Sequence, residues 1–137
     1  MYKRQGQAQA VGGIGGRGGD IYLIADFDTV INQGAINAQG GHALESTGTG
    51  GRAGYMELVG ATVTSTGNFT LSGGDGNAMD GVGGDAVGAY IMSFDGTSEV
   101  SGAVELNGGS GATPGASGFL SGDNQITSYA SGSSSSP

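Results

Sequence analysis

Apolar and polar residues alternate in short runs, and the runs return at a nearly constant spacing. The stretch YLIADFDTVINQGAINAQGG begins at Tyr22, returns from Tyr55 as YMELVGATVTSTGNFTLSGG and returns again from Tyr90 as YIMSFDGTSEVSGAVELNGG. The starting points are 33 and 35 residues apart (22 to 55, then 55 to 90). Self-similarity at a fixed period of this length indicates a solenoid, in which each repeat buries its apolar face against the next.

Aligned copies of the repeat read as strands with one buried face. In the last run of each repeat three successive columns are apolar, polar and apolar: Ile36/Phe69/Val104, Asn37/Thr70/Glu105 and Ala38/Leu71/Leu106. A period of two is the period of a β-strand. In the first run the same rule directs the column Leu23/Met56/Ile91 inward and the column Ile24/Glu57/Met92 outward.

The pattern predicts an all-β chain, because no window spaces its apolar residues as a helix does over three turns. We expect a right-handed parallel β-helix (β-solenoid) of about three coils with a 33–35 residue repeat. Each strand would pair in parallel with its copy about 4.8 Å away. Glycine-rich loops at 41–54, 74–88 and 109–118 would close the coils. Glycine permits either stacked or flexible loops, and the sequence leaves both open.

The composition divides the chain into four parts. We expect residues 6–111 to form the solenoid repeats and 112–130 to form a degenerate last coil or cap, with strands at 119–120 and 125–129. Residues 131–137, SGSSSSP, are predicted to be a disordered tail. Residues 1–5, MYKRQ, resemble a translated sequencing-adapter tag of the kind found at the edges of metagenomic assemblies. We expect this tag to be non-native and the native protein to continue upstream as a longer chain.

The charge of the chain excludes one class of partner. The formal net charge is −8, from 12 acidic and 4 basic residues. Without a basic patch the chain is not expected to bind nucleic acid. No apolar run is long enough to cross a bilayer, so we expect no membrane insertion. Cysteine is absent, which fits many exported bacterial proteins.

No catalytic constellation is visible in the sequence, so we expect the protein not to be an enzyme. His42 is the single histidine, and its place in a glycine loop predicts a solvated side chain. Lyases and glycosidases built on parallel β-helices need clustered carboxylates, and the lyases also need Arg or Lys. After the tag, the basic residues are Arg17 and Arg52, both in glycine loops.

One acidic loop is a weak calcium candidate. Asp75, Asp80 and Asp85 lie in GGDGNAMDGVGGD, which resembles the calcium-binding repeat GGxGxDxUx. The match departs at Ala78, where that repeat has an aspartate ligand. Calcium binds several carboxylate and carbonyl oxygens on flexible loops, so the alternatives are weak calcium binding and a solvated acidic loop. No other cofactor is expected.

Two further columns suggest surface features. Tyr22, Tyr55 and Tyr90 are expected to face outward as a candidate recognition stack for sugars or partner proteins. The alternative is that the glycine loops cover them and they form a satellite core. Thr62, Thr64 and Thr66 alternate as in ice-binding solenoids, but one column alone keeps threonine in all three copies. Threonine is therefore interpreted as a strand former.

The repeats resemble the glycine-rich β-helical arrays of large bacterial surface exoproteins, the filamentous-haemagglutinin-like adhesins. The motifs GAINAQGG, GNFTLSGG and GAVELNGG, joined by loops such as GGRGGDIYL, carry the resemblance over about residues 15–111. It implies an extracellular or bacterial cell-surface location and a non-catalytic structural or adhesive role. It also implies surface carbohydrate or protein as partners, and contact with neighbouring repeats of the same longer chain. The family's secretion domain and signal are not in this sequence. The alternative is a fragment of a carbohydrate-active β-helix enzyme whose active residues lie outside it.

Overall fold

The computed structural model describes residues 6–96, 98–122 and the backbone of 130–131. Within these ranges the chain contains strands, bridges and turns and no helix. In chain order the strands are β1 Ile21–Ile24, β2 Thr29–Asn32, β3 Ile36–Asn37, β4 Tyr55–Gly60, β5 Thr62–Ser65, β6 Phe69–Thr70, β7 Gly88–Ser93, β8 Ser98–Val100, β9 Ala103–Glu105, β10 Phe119–Gly122 and β11 Ala130–Ser131.

Three parallel sheets form a β-solenoid of about three turns, as the repeat predicted. Their strand orders are β1-β4-β7-β10, β2-β5-β8 and β11-β9-β6-β3. Every pairing is parallel and joins a strand to its counterpart in the next coil. Strand β10 pairs with β7 where the sequence predicted a strand at 119–120.

Three predictions concern residues near the two ends. The expected tag at 1–5 and the expected strand at 125–129 lie outside the described residues. The predicted disordered tail was placed one residue too early, because Ser131 belongs to β11 and pairs with Val104. The rest of that tail also lies outside the described residues.

The interior of the solenoid is filled by the inward columns of the three sheets. Ile36 pairs with Phe69 and Phe69 pairs with Val104, and these side chains are 4%, 0% and 3% exposed. The neighbouring column Asn37/Thr70/Glu105 is at least partly exposed. The strand phase predicted for this sheet is therefore correct, and the large ring of Phe69 lies at the centre of the core.

The predicted register of the first sheet is wrong, although its inward face is right. Met56 and Ile91 are fully buried, but Met56 does not share a column with Leu23 and pairs with Ile21. Instead Leu23 pairs with Leu58, and Leu58 pairs with Ile91. In this sheet the spacing between coils is therefore 35 and then 33 residues, the reverse of the predicted order. Because the offset is two residues, the inward and outward faces are not exchanged.

Unequal corners between the first and second sheets explain the shift in register. In the first and third coils, five residues separate the paired positions on the two sides of this corner, Ile24 from Val30 and Met92 from Ser98. In the middle coil, three residues separate the equivalent positions, Val59 and Val63. The first and third coils thus carry two extra residues at this corner. The middle coil turns tightly beside them, at Ala61.

The glycine loops stack on one another, which answers the question that the sequence left open. Five successive backbone hydrogen bonds of 2.8 Å, donor first, run through the loops: Gly41 to Gly16, Gly51 to Gly41, Gly74 to Gly51, Gly84 to Gly74 and Gly109 to Gly84. We call this series the glycine ladder. At each of these five donors a Cβ atom would overlap a glycine carbonyl oxygen of a neighbouring segment. The ladder therefore forms only because side chains are absent.

Candidate functional site

Polar side chains in the loops and corners bind the backbone of the next coil. A backbone N–H donates to the side chain of a residue in the preceding coil in five pairs: Tyr55 to Asp20 (2.8 Å), Asp75 to His42 (2.9 Å), Ala103 to Asn68 (3.0 Å), Ser110 to Asp75 (2.8 Å) and Ala116 to Asp85 (2.9 Å). These donors lie outside or at the ends of the strands, where sheet pairing is incomplete. The side chains therefore supply acceptors that the sheets do not.

His42 belongs to such a column and is not the freely solvated side chain that the sequence predicted. His42, Asp75 and Ser110 each follow a Gly-Gly pair in successive coils. Nδ1 of His42 accepts the backbone N–H of Asp75, and Oδ2 of Asp75 lies 3.3 Å from the same nitrogen. The stacking of the loops explains the correction, because it leaves the imidazole half-buried between coils.

The His42–Asp75–Ser110 column contains the residue types of a catalytic triad in a different order. In a triad the imidazole lies between the serine hydroxyl and the carboxylate, so that it can accept the hydroxyl proton. Here the Asp75 carboxylate lies in the middle, and its Oδ1 accepts both the N–H and the Oγ–H of Ser110 at 2.8 Å. The contacts join three loops, and the hydroxyl donates to the carboxylate of Asp75.

Asp80 holds the turn of the preceding coil's loop. Its carboxylate accepts the backbone N–H of Thr47 at 2.8 Å and the hydroxyl of Ser46 at 2.7 Å. These hydrogen bonds, led by that from Thr47, lower the pKa of Asp80 below its ordinary value. Thr47 has a φ of 55°, an unfavourable conformation for a β-branched residue. Asp80 therefore stabilises a strained turn.

The calcium candidates are not brought together in the structure. Asp75 accepts hydrogen bonds from Ser110, Asp80 accepts them from the preceding coil, and Asp85 accepts one from Ala116. Within the described part of the chain, no group of three or more His, Cys, Asp or Glu side chains could hold a metal ion. The loop carboxylates are used as acceptors for backbone N–H groups.

The three tyrosines predicted as a recognition stack do not share one column. Tyr22 pairs with Glu57 and Glu57 pairs with Tyr90, whereas Tyr55 pairs with Gly88. The unequal corners cause this difference. Tyr22 and Tyr55 nevertheless meet diagonally, with ring centroids 6.2 Å apart and planes tilted by 55°. Burial, followed by the charge of Glu57, raises the pKa of Tyr55.

The unequal corners also create a recess that sequence reasoning missed. The extra residues of the first and third coils flank the tight turn of the middle coil. The resulting cavity of about 460 Å³ is lined by Asp26, Phe27, Ala61, Phe94 and Asp95, and we call it the corner recess. Phe27 is 96% exposed and Phe94 is 54% exposed. In the sequence, the signal is the placement of the segments DFD (26–28) and FDG (94–96) opposite Ala61. This placement becomes visible only when the strands are aligned in the correct register.

Comparisons with known proteins add no relative: no family model, curated protein or solved structure matches the chain. In the described ranges there is also no helix with the length and apolar character to span a membrane.

Proposed function

We propose that this chain is a non-catalytic structural or adhesive segment of a bacterial cell-surface or secreted repeat protein. The observation that carries the proposal is the use of the loop side chains. Asp20, His42, Asp75, Asp80 and Asp85 all accept a backbone N–H of an adjacent coil. Groups that could serve acid–base chemistry elsewhere are used here to hold neighbouring coils in register.

The sheets and loops together favour a mechanical role. Parallel pairing joins the coils along three sheets, and the glycine ladder joins them along a further line. In a solenoid each repeat contacts its neighbours, so stability grows with every interface that is added. A segment built in this way suits a stiff spacer that presents surface groups at fixed intervals.

A neighbouring repeat of the same longer chain is the partner proposed for the first coil. Leu23 points toward the interior but is 37% exposed, and Tyr22 and Ile24 are more than half exposed. Among the described strands, β1, β2 and β3 are the terminal strands of the three sheets, and each pairs with another strand along one of its two edges. A further coil would pair with the other edges and cover the apolar end, as the coils do with one another.

The resemblance of the GAINAQGG-type motifs to adhesin repeats supports an extracellular or cell-surface location. It also supports surface carbohydrate or protein as the binding partner. No cofactor is part of the proposed function.

An adhesion and hydrolysis assay distinguishes the proposed function from its alternative, a fragment of a carbohydrate-active β-helix enzyme. The full chain is coupled to beads, which are applied to immobilised surface polysaccharides and proteins. Beads coupled to the chain after it has been unfolded in urea are the matched control. We expect folding-dependent retention without new reducing ends or unsaturated sugars in the supernatant. Release of such products in proportion to protein concentration would contradict the proposal and favour the enzyme.

A further inference from the structure

The corner recess has the construction of a small binding site. Its two walls are the loops with extra residues, which carry Phe27 and Phe94 on the first and third coils. Its floor is Ala61 on the middle coil. Backbone hydrogen bonds of 2.8 to 2.9 Å join Ala61 to Asp28, and Phe94 and Asp95 to the Gly60–Ala61 turn. The walls therefore stand on a corner that is fixed by the stacking of the coils.

The electrostatics of the corner recess favour a cation. Asp26 and Asp95 line it, and Asp28 follows Phe27 in the chain. In the described chain the basic residues are Arg17 and Arg52, which both lie in the glycine loops. Aromatic rings attract cations through their negative faces, and carboxylates add a direct attraction. The aromatic walls and the acidic rim of the recess therefore both attract a cation.

The backbone spacing expected between coils is compatible with cation–π contacts to both rings. Neighbouring coils are about 4.8 Å apart, so loops two coils apart are separated by roughly 9.6 Å. A cation centred above Ala61 would lie about one coil spacing from each wall. This distance is inside the roughly 6 Å over which a cation is attracted to an aromatic ring. The volume of about 460 Å³ also accommodates the alkyl stem of a long side chain.

We propose that the corner recess binds a lysine or arginine side chain of a partner protein. The cationic head would lie between Phe27 and Phe94 near the carboxylates of Asp26 and Asp95, and the alkyl stem would cover Ala61. A protein side chain is favoured over a neutral sugar because the net charge of the rim is negative. This proposal names a partner for the adhesive function proposed above and rests on that function for its biological role.

A peptide titration tests the proposal on the full chain. The probe is a glycine- and serine-flanked peptide with one central arginine and blocked termini, and the matched peptide carries neutral citrulline. We expect the arginine peptide to shift the NMR signals of Phe27, Ala61 and Phe94 saturably and to bind at least fivefold more tightly than the citrulline peptide. Added salt should weaken the binding, because it screens exposed charges.

Variants identify the groups that bind. Phe27→Ala and Phe94→Ala should each weaken arginine-peptide binding about two- to fivefold, as expected for an exposed cation–π contact. Asp95→Asn should weaken it by a similar factor. Phe119→Ala is the matched control, because Phe119 is also exposed (69%) but lies on β10 outside the recess. Equal binding of the two peptides, or equal effects of Phe27→Ala and Phe119→Ala, would overturn the proposal.

The bead assay separates failure of this site from failure of the proposed function. Adhesion that persists in a Phe27→Ala/Phe94→Ala variant would overturn the corner recess as the adhesive site and leave the adhesive function standing. Arginine-peptide binding by a chain that adheres to no surface would support the recess and contradict the adhesive function.

Discussion

Phe69 shows at the scale of one residue how the interior holds the coils together. Its side chain is fully buried in the middle coil, with Ile36 on one side and Val104 on the other. Thr70, the next residue, is partly exposed, and its hydroxyl donates a long hydrogen bond of 3.4 Å to the carboxylate of Glu105. Adjacent positions in one strand therefore contribute very differently to stability.

Replacing these two residues tests the strand phase. Phe69→Ala should lower the free energy of unfolding by about 3–5 kcal/mol, because it removes a buried aromatic side chain and leaves a cavity. Thr70→Ala should change it by less than about 0.5 kcal/mol. Urea unfolding followed by circular dichroism measures both. Similar losses in the two variants would show that the assigned faces are wrong.

Ser98 is a buried polar residue in an apolar column. It pairs with Val63, which pairs with Val30, and its hydroxyl is fully buried without a hydrogen-bond partner among the described residues. Ser98→Val should raise the free energy of unfolding by about 1 kcal/mol, because an unpaired buried hydroxyl is costly. Thermal unfolding measures the change.

Ser65 provides the matched control for Ser98. It is equally buried, but its hydroxyl accepts the side-chain N–H of Asn32 at 3.0 Å. Ser65→Val should therefore destabilise the fold by about 1 kcal/mol. If Ser98→Val destabilised the protein as much as Ser65→Val, the buried hydroxyl of Ser98 would have to be paired.

Asp80 should make one loop sensitive to acid. Its pKa is lowered in the folded state by hydrogen bonds from Thr47 and Ser46. The stabilisation is therefore present above the ordinary carboxyl pKa and is lost as pH falls through the lowered value. The amide signal of Thr47, followed by NMR, should shift as Asp80 titrates, and Asp80→Asn should remove this titration. A Thr47 amide that does not respond while Asp80 becomes protonated would contradict the contact.

At the scale of the strand, the predictable and unpredictable features have different physical origins. The alternation around Phe69 identified the third sheet correctly, because burial on one face imposes a period of two. The register of the first sheet was wrong, because an alignment on tyrosines cannot show where two extra residues are inserted. Those residues lie at the corner after β1 and β7, and they also produce the corner recess that the sequence did not reveal.

The glycine loops required the structure for another reason. Glycine is compatible with a flexible loop and with a tightly packed one, so composition alone could not choose between them. The structure shows the packed alternative through hydrogen bonds between glycines of different coils. In the same way, the partners of His42, Asp75 and Asp80 became visible only when residues from neighbouring coils were brought together.

Two glycine substitutions test the packing of these loops. A Cβ atom at Gly50 would overlap the backbone carbonyl of Gly74, whereas nothing lies within 4 Å of a Cβ atom at Gly34. Gly50→Ala should lower the free energy of unfolding by about 2–3 kcal/mol, since a rigid backbone must move. Gly34→Ala should be neutral or stabilising by up to about 1 kcal/mol. Urea unfolding measures both changes. If Gly50→Ala were as well tolerated as Gly34→Ala, the close packing of the loop at Gly50 would be contradicted.

At the scale of the whole molecule, the coils are held at several places around their circumference. Three sheets, the glycine ladder and the hydrogen bonds from loop side chains join the same successive coils. A molecule of this kind should behave as one stack, with the loops as ordered as the strands. The proposed structural or adhesive role depends on this property, because flexible loops would not present groups at fixed positions.

Amide hydrogen exchange on the intact chain tests this account most directly. The ladder donors Gly41, Gly74 and Gly109 each donate to a glycine of the preceding loop. Their amides should be protected from exchange to nearly the same extent as those of Val63 and Phe69 in the sheets, because all of these amides become free only when the stack opens. Exchange of the three glycine amides at the rate of an unfolded peptide, with the sheet amides still protected, would contradict the claim that the loops are part of the stack.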